Sequence, residues 1–211
     1  MKTFAGTFET HLTVRLPGLP GEGNEGLARW AGRHGMKYAE ILLDRGAAPR
    51  QPMLTYHGTG TLPSQLALAQ QRTGDLRGDG LDVVRVKVEA APWNEDVPQS
   101  AAEASALTPG CYFEHHVKLA LASDAEVDAV RLVGSQHAGH VSRNARRGAH
   151  DGRHERFLTQ RCRLVGRPEA RLRLEALLGA LAEAGHDVME VEEEFVVHDD
   201  NPGLDRGWAD A

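Results

Sequence analysis

The chain repeats itself, and this constrains its fold more than any other feature. Shifted by 105 positions, Phe8-Glu9-Thr10-His11-Leu12-Thr13-Val14-Arg15-Leu16 falls on Phe113-Glu114-His115-His116-Val117-Lys118-Leu119-Ala120-Leu121, with Phe, Glu, His and the last Leu identical. The same shift lays Gly80–Glu89 over Gly185–Glu194, where five of ten residues are identical. Between them Leu54-Thr55 matches Leu158-Thr159 one residue out of register, and Pro63 matches Pro168. One offset shared by two distant segments marks an internal repeat, so the fold must be two copies of one unit.

Each unit reads in the same order. Residues 8–16 place Phe8, Leu12, Val14 and Leu16 on one face and Glu9, His11, Thr13 and Arg15 on the other, the period of a half-buried strand. A helix follows, near 25–34 in the first copy and Asp124–Gln136 in the second, where Ser123 and Glu126 form a capping box. Strands are expected over Tyr38–Asp44 and Met53–Gly60. Pro63 and Pro168 stand where helices begin, and the second of these helices carries Leu174, Leu177, Leu178 and Leu181 before Gly185 stops it. Val83–Glu89 and Val188–Glu194 are the last strands. Strand, helix, strand, strand, helix, strand is the ferredoxin-like order. The expected fold is α+β: a tandem duplication of a ferredoxin-like βαββαβ unit, the two antiparallel sheets packing as a pseudo-dimer. The expected boundaries are 1–90 for the first repeat, 91–110 for an Ala-, Pro- and Ser-rich linker, 111–197 for the second repeat and 198–211 for a C-terminal tail. Trp208, large and apolar in that tail, is expected to dock on the body.

Composition narrows the function classes. A net charge of −6 argues against a general nucleic-acid binder. The expected outward positions of the central strands hold Glu, His, Thr and Arg, not the aromatic residues on which RNA bases stack. Two cysteines without CxxC spacing make neither a disulfide framework nor a zinc ribbon. With no apolar segment suited to a signal peptide or a membrane span, the expectation is a cytoplasmic protein that does not enter a membrane. No P-loop, GxGxxG or GxSxG pattern is present, and the cofactor is left unknown. The oligomeric state is left open.

In a ferredoxin-like unit the helices cover one sheet face, and the first and third strands are central neighbours. The open faces should therefore bring Glu9, His11 and Thr13 beside Thr55, His57 and Thr59, and Glu114, His116 and Lys118 beside Thr159, Arg161 and Arg163. His11 and His116 are the expected catalytic pair, with Glu9 and Glu114 orienting them, because histidine changes charge near neutral pH. His57, Thr13, Lys118, Arg161 and Arg163 are the expected ligand-binding residues, their guanidinium and ammonium groups pointing to an anionic, possibly phosphorylated, small molecule held between the sheets. A metal is not required by this reading. Were one held, Glu9, His11 and His57 offer two imidazoles and a carboxylate. The second copy has Arg161 where His57 stands, and an arginine cannot ligate. The stretch 139–156, with five Arg and three His, offers a further anion site or a solvated loop.

His11-Leu12-Thr13-Val14 resembles the HxTx motif of the two-histidine phosphoesterases, which are also two-lobed and duplicated. The resemblance implies one histidine as general base and the other as general acid, with hydroxyls holding the phosphate. His116-Val117-Lys118-Leu119 lies at the equivalent place, with Lys118 in place of the hydroxyl residue. A non-catalytic interaction or regulatory module is the other alternative. On that reading Arg85 and Lys87 face Glu190 and Glu192 across the seam between the halves, and the same side chains hold the halves together.

Overall fold

Alternation along the strands decides which way each side chain faces. Leu12, Val14 and Leu54 are buried beneath the first pair of helices in one cluster with the helical Leu76, and Leu119, Leu121 and Leu158 beneath the second with the helical Leu174. The side chains between them along the strands point the other way. The computed structural model describes residues 2–16, 24–146 and 153–209. In chain order the elements are β1 (Gly6–Arg15), α1 (Asn24–Arg33), β2 (Lys37–Leu43), β3 (Arg50–Gly60), α2 (Leu62–Gly78), β4 (Asp82–Ala90), α3 (Ala101–Ser105), β5 (Tyr112–Leu121), α4 (Asp124–Gln136), β6 (Gly139–Asn144), β7 (His154–Arg163), α5 (Arg167–Glu183) and β8 (Val188–Asp199), followed by a 3-10 turn over Pro202–Asp205.

Two βαββαβ units are thus present, each with an antiparallel sheet, ordered β4-β1-β3-β2 and β8-β5-β7-β6. Local signals repeat with them. Gly80 and Gly185, at φ 80° and 77°, close α2 and α5, and in each case the next residue donates back into the last turn (Leu81 to Leu76, His186 to Leu181). Ser123 caps α4 by accepting from the Glu126 amide, while the Glu126 carboxylate accepts from the amide of Ala122. The pairing of first and fourth strands shifts register at Thr13/Val14 in one unit and at Lys118/Leu119 in the other, 105 residues on.

The open faces do meet, but the sheets also join at both edges. β2 pairs antiparallel with β6 and β4 with β8, closing a single eight-stranded barrel with the helices outside. Closure removes four sheet edges whose unpaired backbone groups would otherwise need solvent or a partner chain. One strand runs longer as a result. β8 continues to Asp199, two residues into the expected tail, because its second half is the partner of β4. The linker is not featureless: Val97 is buried in the seam core with Phe4, Phe113 and Phe195, and α3 is capped by Ser100.

The tail plugs one end of the barrel. Trp208 is buried at 5% exposure against Leu43 and donates from Nε1 to the Val141 carbonyl at 2.8 Å. No helix among the described residues is long and apolar enough to cross a membrane.

A candidate acid–base centre inside the barrel

Inward positions line a chamber of about 580 Å³. At its centre the two repeated histidines present the same ring edge. His11 Nδ1 lies 2.8 Å from Thr55 Oγ1, and His116 Nδ1 lies 2.9 Å from Thr159 Oγ1. Each threonine is the cross-strand neighbour of its histidine. With Nδ1 held this way, both Nε2 atoms face the middle of the barrel. His11 Nε2 donates to Glu89 at 2.6 Å. His116 Nε2 stands 3.3 Å from Glu114 and 3.4 Å from Glu194. The carboxylate expected to orient His11 was Glu9. Glu89 makes that bond instead, because it lies on the next strand at the level of Glu9 and is fully buried.

The carboxylates differ in how they are neutralised. Glu114 accepts from Lys87 Nζ and from Arg161 Nε (2.6 Å). Burial opposes its charge, but Arg161 and Lys87 outweigh that and hold its pKa well below the usual range. Among the described residues Glu194 is paired with neither Lys nor Arg but with His116: burial, then the charge of Glu89, outweigh His116 and push its carboxyl up to about 7. Burial also opposes charging of His116, yet its bonds to Glu114 and Glu194 raise it to about 10. His11 is raised for the same reasons, burial being outweighed by Glu89 and then Glu9. The centre therefore holds ionisable groups whose neighbours push them in opposite directions, an arrangement suited to moving a proton.

Around this centre the cations are already engaged. Arg85 donates from Nε and Nη2 to both oxygens of Asp199 at 2.9 and 2.6 Å, and also to Asp205. Arg161 bridges Glu114 and Asp205, and Lys87 Nζ sits 2.5 Å from Glu89 Oε1. Lys118 faces Glu155 at 3.6 Å. Of the residues expected to bind an anion, Arg163 lies over the Tyr112 ring at 4.3 Å, at the end of its strand. Thr13 is a buried part of the chamber wall. His57 is at the surface, 60% exposed, 3.8 Å from Glu9. It does not join Glu9 and His11 in a compact set; Glu194 does. The expected pairing of Arg85 and Lys87 with Glu190 and Glu192 is not made either, because the register sets Lys87 opposite Asp199 and leaves Glu190 and Glu192 exposed. Within the basic stretch 139–156, residues 147–152 lie outside the described residues.

A side opening reaches the centre. β4 stops pairing with β8 at Ala90, opposite Phe195, while β8 begins at Val188. The gap is a cavity of about 710 Å³ whose wall includes Glu9, His57, Glu89, Glu192 and Glu194, with Trp93 at its lip, 70% exposed. The approach is acidic. Glu89, Glu194, Asp199 and Asp205 take part in this arrangement and were not among the expected site residues. Glu89 and Glu194 were visible as one more pair at the 105-residue offset. The two aspartates had no periodic signal, since they belong to the strand end and the plug.

No family model matches the sequence, and no curated protein matches it. Among solved structures, the chain is similar to the acetolactate synthase small subunit from Thermotoga maritima (13% identity, 89% of this chain and 92% of that one, TM-score 0.31). It is also similar to chlorite dismutase from Candidatus Nitrospira defluvii in complex with imidazole (14% identity, 91% of each chain, TM-score 0.31).

Proposed function

We propose that this chain is a small enzyme or binding protein whose site is the barrel interior, with His11, His116 and Glu194 as an acid–base centre for a small polar molecule entering by the side opening. One observation supports the reading: two histidines from separate units, each with Nδ1 against its own threonine, meet a cluster of buried carboxylates, His11 Nε2 at Glu89 and His116 Nε2 at Glu114 and Glu194, with Glu194 within 4.8 Å of a ring nitrogen of both. A group that is only structural needs a partner, not a matched orientation in both halves. The ligand that suits the chamber is neutral or cationic. The anionic ligand expected from the sequence finds Arg85, Lys87, Arg161 and Lys118 each already facing a carboxylate. We also infer that the two units descend from one, fused so that a single cytoplasmic chain forms the pseudo-dimer.

The alternative is a non-catalytic module. It is favoured by the closed run of ion pairs from Asp199 through Arg85, Asp205, Arg161, Glu114 and Lys87 to Glu89, which needs no ligand. A thermal-shift screen of the full chain with chelator present separates the two, using neutral polar metabolites, amines and phosphorylated metabolites as probes. Stabilisation by neutral or cationic compounds, lost in His11→Gln or His116→Gln, is the expected result. Stabilisation by phosphorylated compounds alone overturns the ligand class. No stabilisation by any compound, with both variants less stable, establishes the ion-paired seam instead.

A further inference from the structure

We propose that the centre holds a pair of divalent first-row transition-metal ions bridged by Glu194, one bound by Glu9 and His11 and the other by Glu89 and His116. This rests on the reading of the chamber as a functional centre and, wherever the ions are bound, makes His11, His116 and Glu194 ligands in place of acid–base groups. Ligand atoms of Glu9, His11 and Glu194 lie within 4.8 Å of one another, and so do those of Glu89, His116 and Glu194. The two sets share only Glu194. One imidazole and two carboxylates apiece are a nitrogen and oxygen set suited to Mn²⁺, Fe²⁺, Co²⁺ or Zn²⁺, and a shared carboxylate is how paired-metal sites are bridged.

Two further observations point the same way. The first is orientation. With Nδ1 against the Thr55 or Thr159 hydroxyl, Nε2 is the ring nitrogen left facing the carboxylates, and a hydrogen-bonded Nδ1 is the outer-shell support a ligating histidine requires. The second comes from comparing the units. Of eight open-face positions, four have diverged: Thr13 against Lys118, His57 against Arg161, Arg85 against Glu190 and Lys87 against Glu192. The positions that kept their identity are Glu9 and Glu114, His11 and His116, Glu89 and Glu194, and the orienting Thr55 and Thr159. The kept positions are thus the proposed ligands, the threonines beside their imidazoles, and Glu114.

Glu114 stays outside the set because Lys87 and Arg161 already neutralise it. Without it, Glu9, Glu89 and Glu194 share one adjacent ammonium, Lys87, which touches only Glu89. The approach adds Glu192. Binding is a proton exchange: each imidazole gives up its Nε2 proton to solvent as the metal takes the lone pair, so affinity rises with pH.

The test uses the full-length chain freed of metal by a chelator and then dialysed. Co²⁺ is added while visible d–d absorption is followed, and Zn²⁺ and Mn²⁺ are titrated by calorimetry. Two equivalents per chain and a Co²⁺ spectrum showing nitrogen ligation are expected. His11→Gln and His116→Gln should each lose one equivalent. Thr55→Val should weaken one site about 10-fold or more by losing the orienting bond. Glu194→Gln should weaken both, and His57→Gln neither. Should Glu194→Gln fail to fold, Glu9→Gln serves, since Glu9 is only half-buried at the opening. No Co²⁺ absorption, a stoichiometry of one, or binding undiminished in the histidine variants overturns the proposal. The titration uses no small-molecule ligand and the metabolite screen runs in chelator, so either reading can fail while the other stands.

Discussion

Asp205 is the residue through which the plug holds the barrel, and its removal should be costly. Its Oδ1 accepts from Gln51 Nε2 and Arg85 Nη1, both at 3.0 Å, and its Oδ2 accepts from Arg85 Nη2 at 3.0 Å and Arg161 Nη2 at 2.7 Å. The side chains of Arg85, Arg161 and Asp205 are 5%, 8% and 3% exposed, so solvent cannot replace the lost bonds. Deleting one partner of a buried ion pair destabilises by roughly 3–5 kcal/mol. Each guanidinium here keeps a second carboxylate, Asp199 or Glu114, which places Asp205→Ala at the lower end, about 3 kcal/mol. For a chain of this size that lowers Tm by about 6–12 °C. Asp205→Asn keeps an acceptor and should lose less. The assay is urea unfolding followed by circular dichroism across a pH series. Burial opposes the Asp205 charge, but Arg85 and Arg161 outweigh it and lower its pKa below the ordinary 3.8. A carboxyl lowered in the fold contributes its stability above the unfolded pKa and loses it as pH falls toward the folded one. The gap between wild type and Asp205→Ala should therefore be full at pH 6 and shrink below about pH 3.8. A difference under about 0.5 kcal/mol at pH 6 would refute the view that the plug is tied in by charge.

Two more outcomes follow from packing. Trp208→Ala empties the space between Leu43 and the barrel end and forfeits the bond to Val141, and should cost about 3–5 kcal/mol by urea unfolding; deleting residues 203–211 should lower Tm at least as far, and an unchanged Tm would mean the plug is dispensable. At Gly166 a Cβ would stand 2.3 Å from the Gln99 carbonyl carbon and 2.4 Å from the Ser100 amide nitrogen, backbone that cannot swing aside, so Gly166→Ala should destabilise by about 1–3 kcal/mol, while Gly179→Ala, with open space around it, should be neutral or better.

Much of this molecule was legible in its sequence because the repeat supplied two readings of several elements, the first and last strands above all. Tyr38–Asp44 was read from its own apolar run, whereas its counterpart Gly139–Asn144 lay within the basic stretch and was not read as a strand. The cross-strand neighbours His11–Thr55, Glu9–His57 and His116–Thr159 followed from alternation and strand order alone. What was not legible depended on how the units join. Alternation says which side chains leave a sheet on its open face, but not whether two sheets stack or share edges. Edge sharing decides that Arg85 meets Asp199 and not Glu190, that β8 outruns its repeat, and that Lys87 and Arg161 are occupied by Glu114. Nor does alternation show that Glu114 and Asp205 both reach Arg161, one of the residues expected to bind an anion.

The closed barrel also dictates the order in which the protein can become safe from aggregation. β4 finds its strand partner in β8, more than a hundred residues further along the chain, and the end of the barrel waits for Asp205 and Trp208 beyond that. Until β8 arrives, the first sheet has a complete hydrophobic core under its helices and yet a bare edge, and β2 likewise waits for β6. Such contacts between distant segments form slowly, since the loop must close before the pairing rewards it. A nascent or truncated chain holding only the first unit therefore exposes two adhesive strand edges, and its most available partner is another copy of itself.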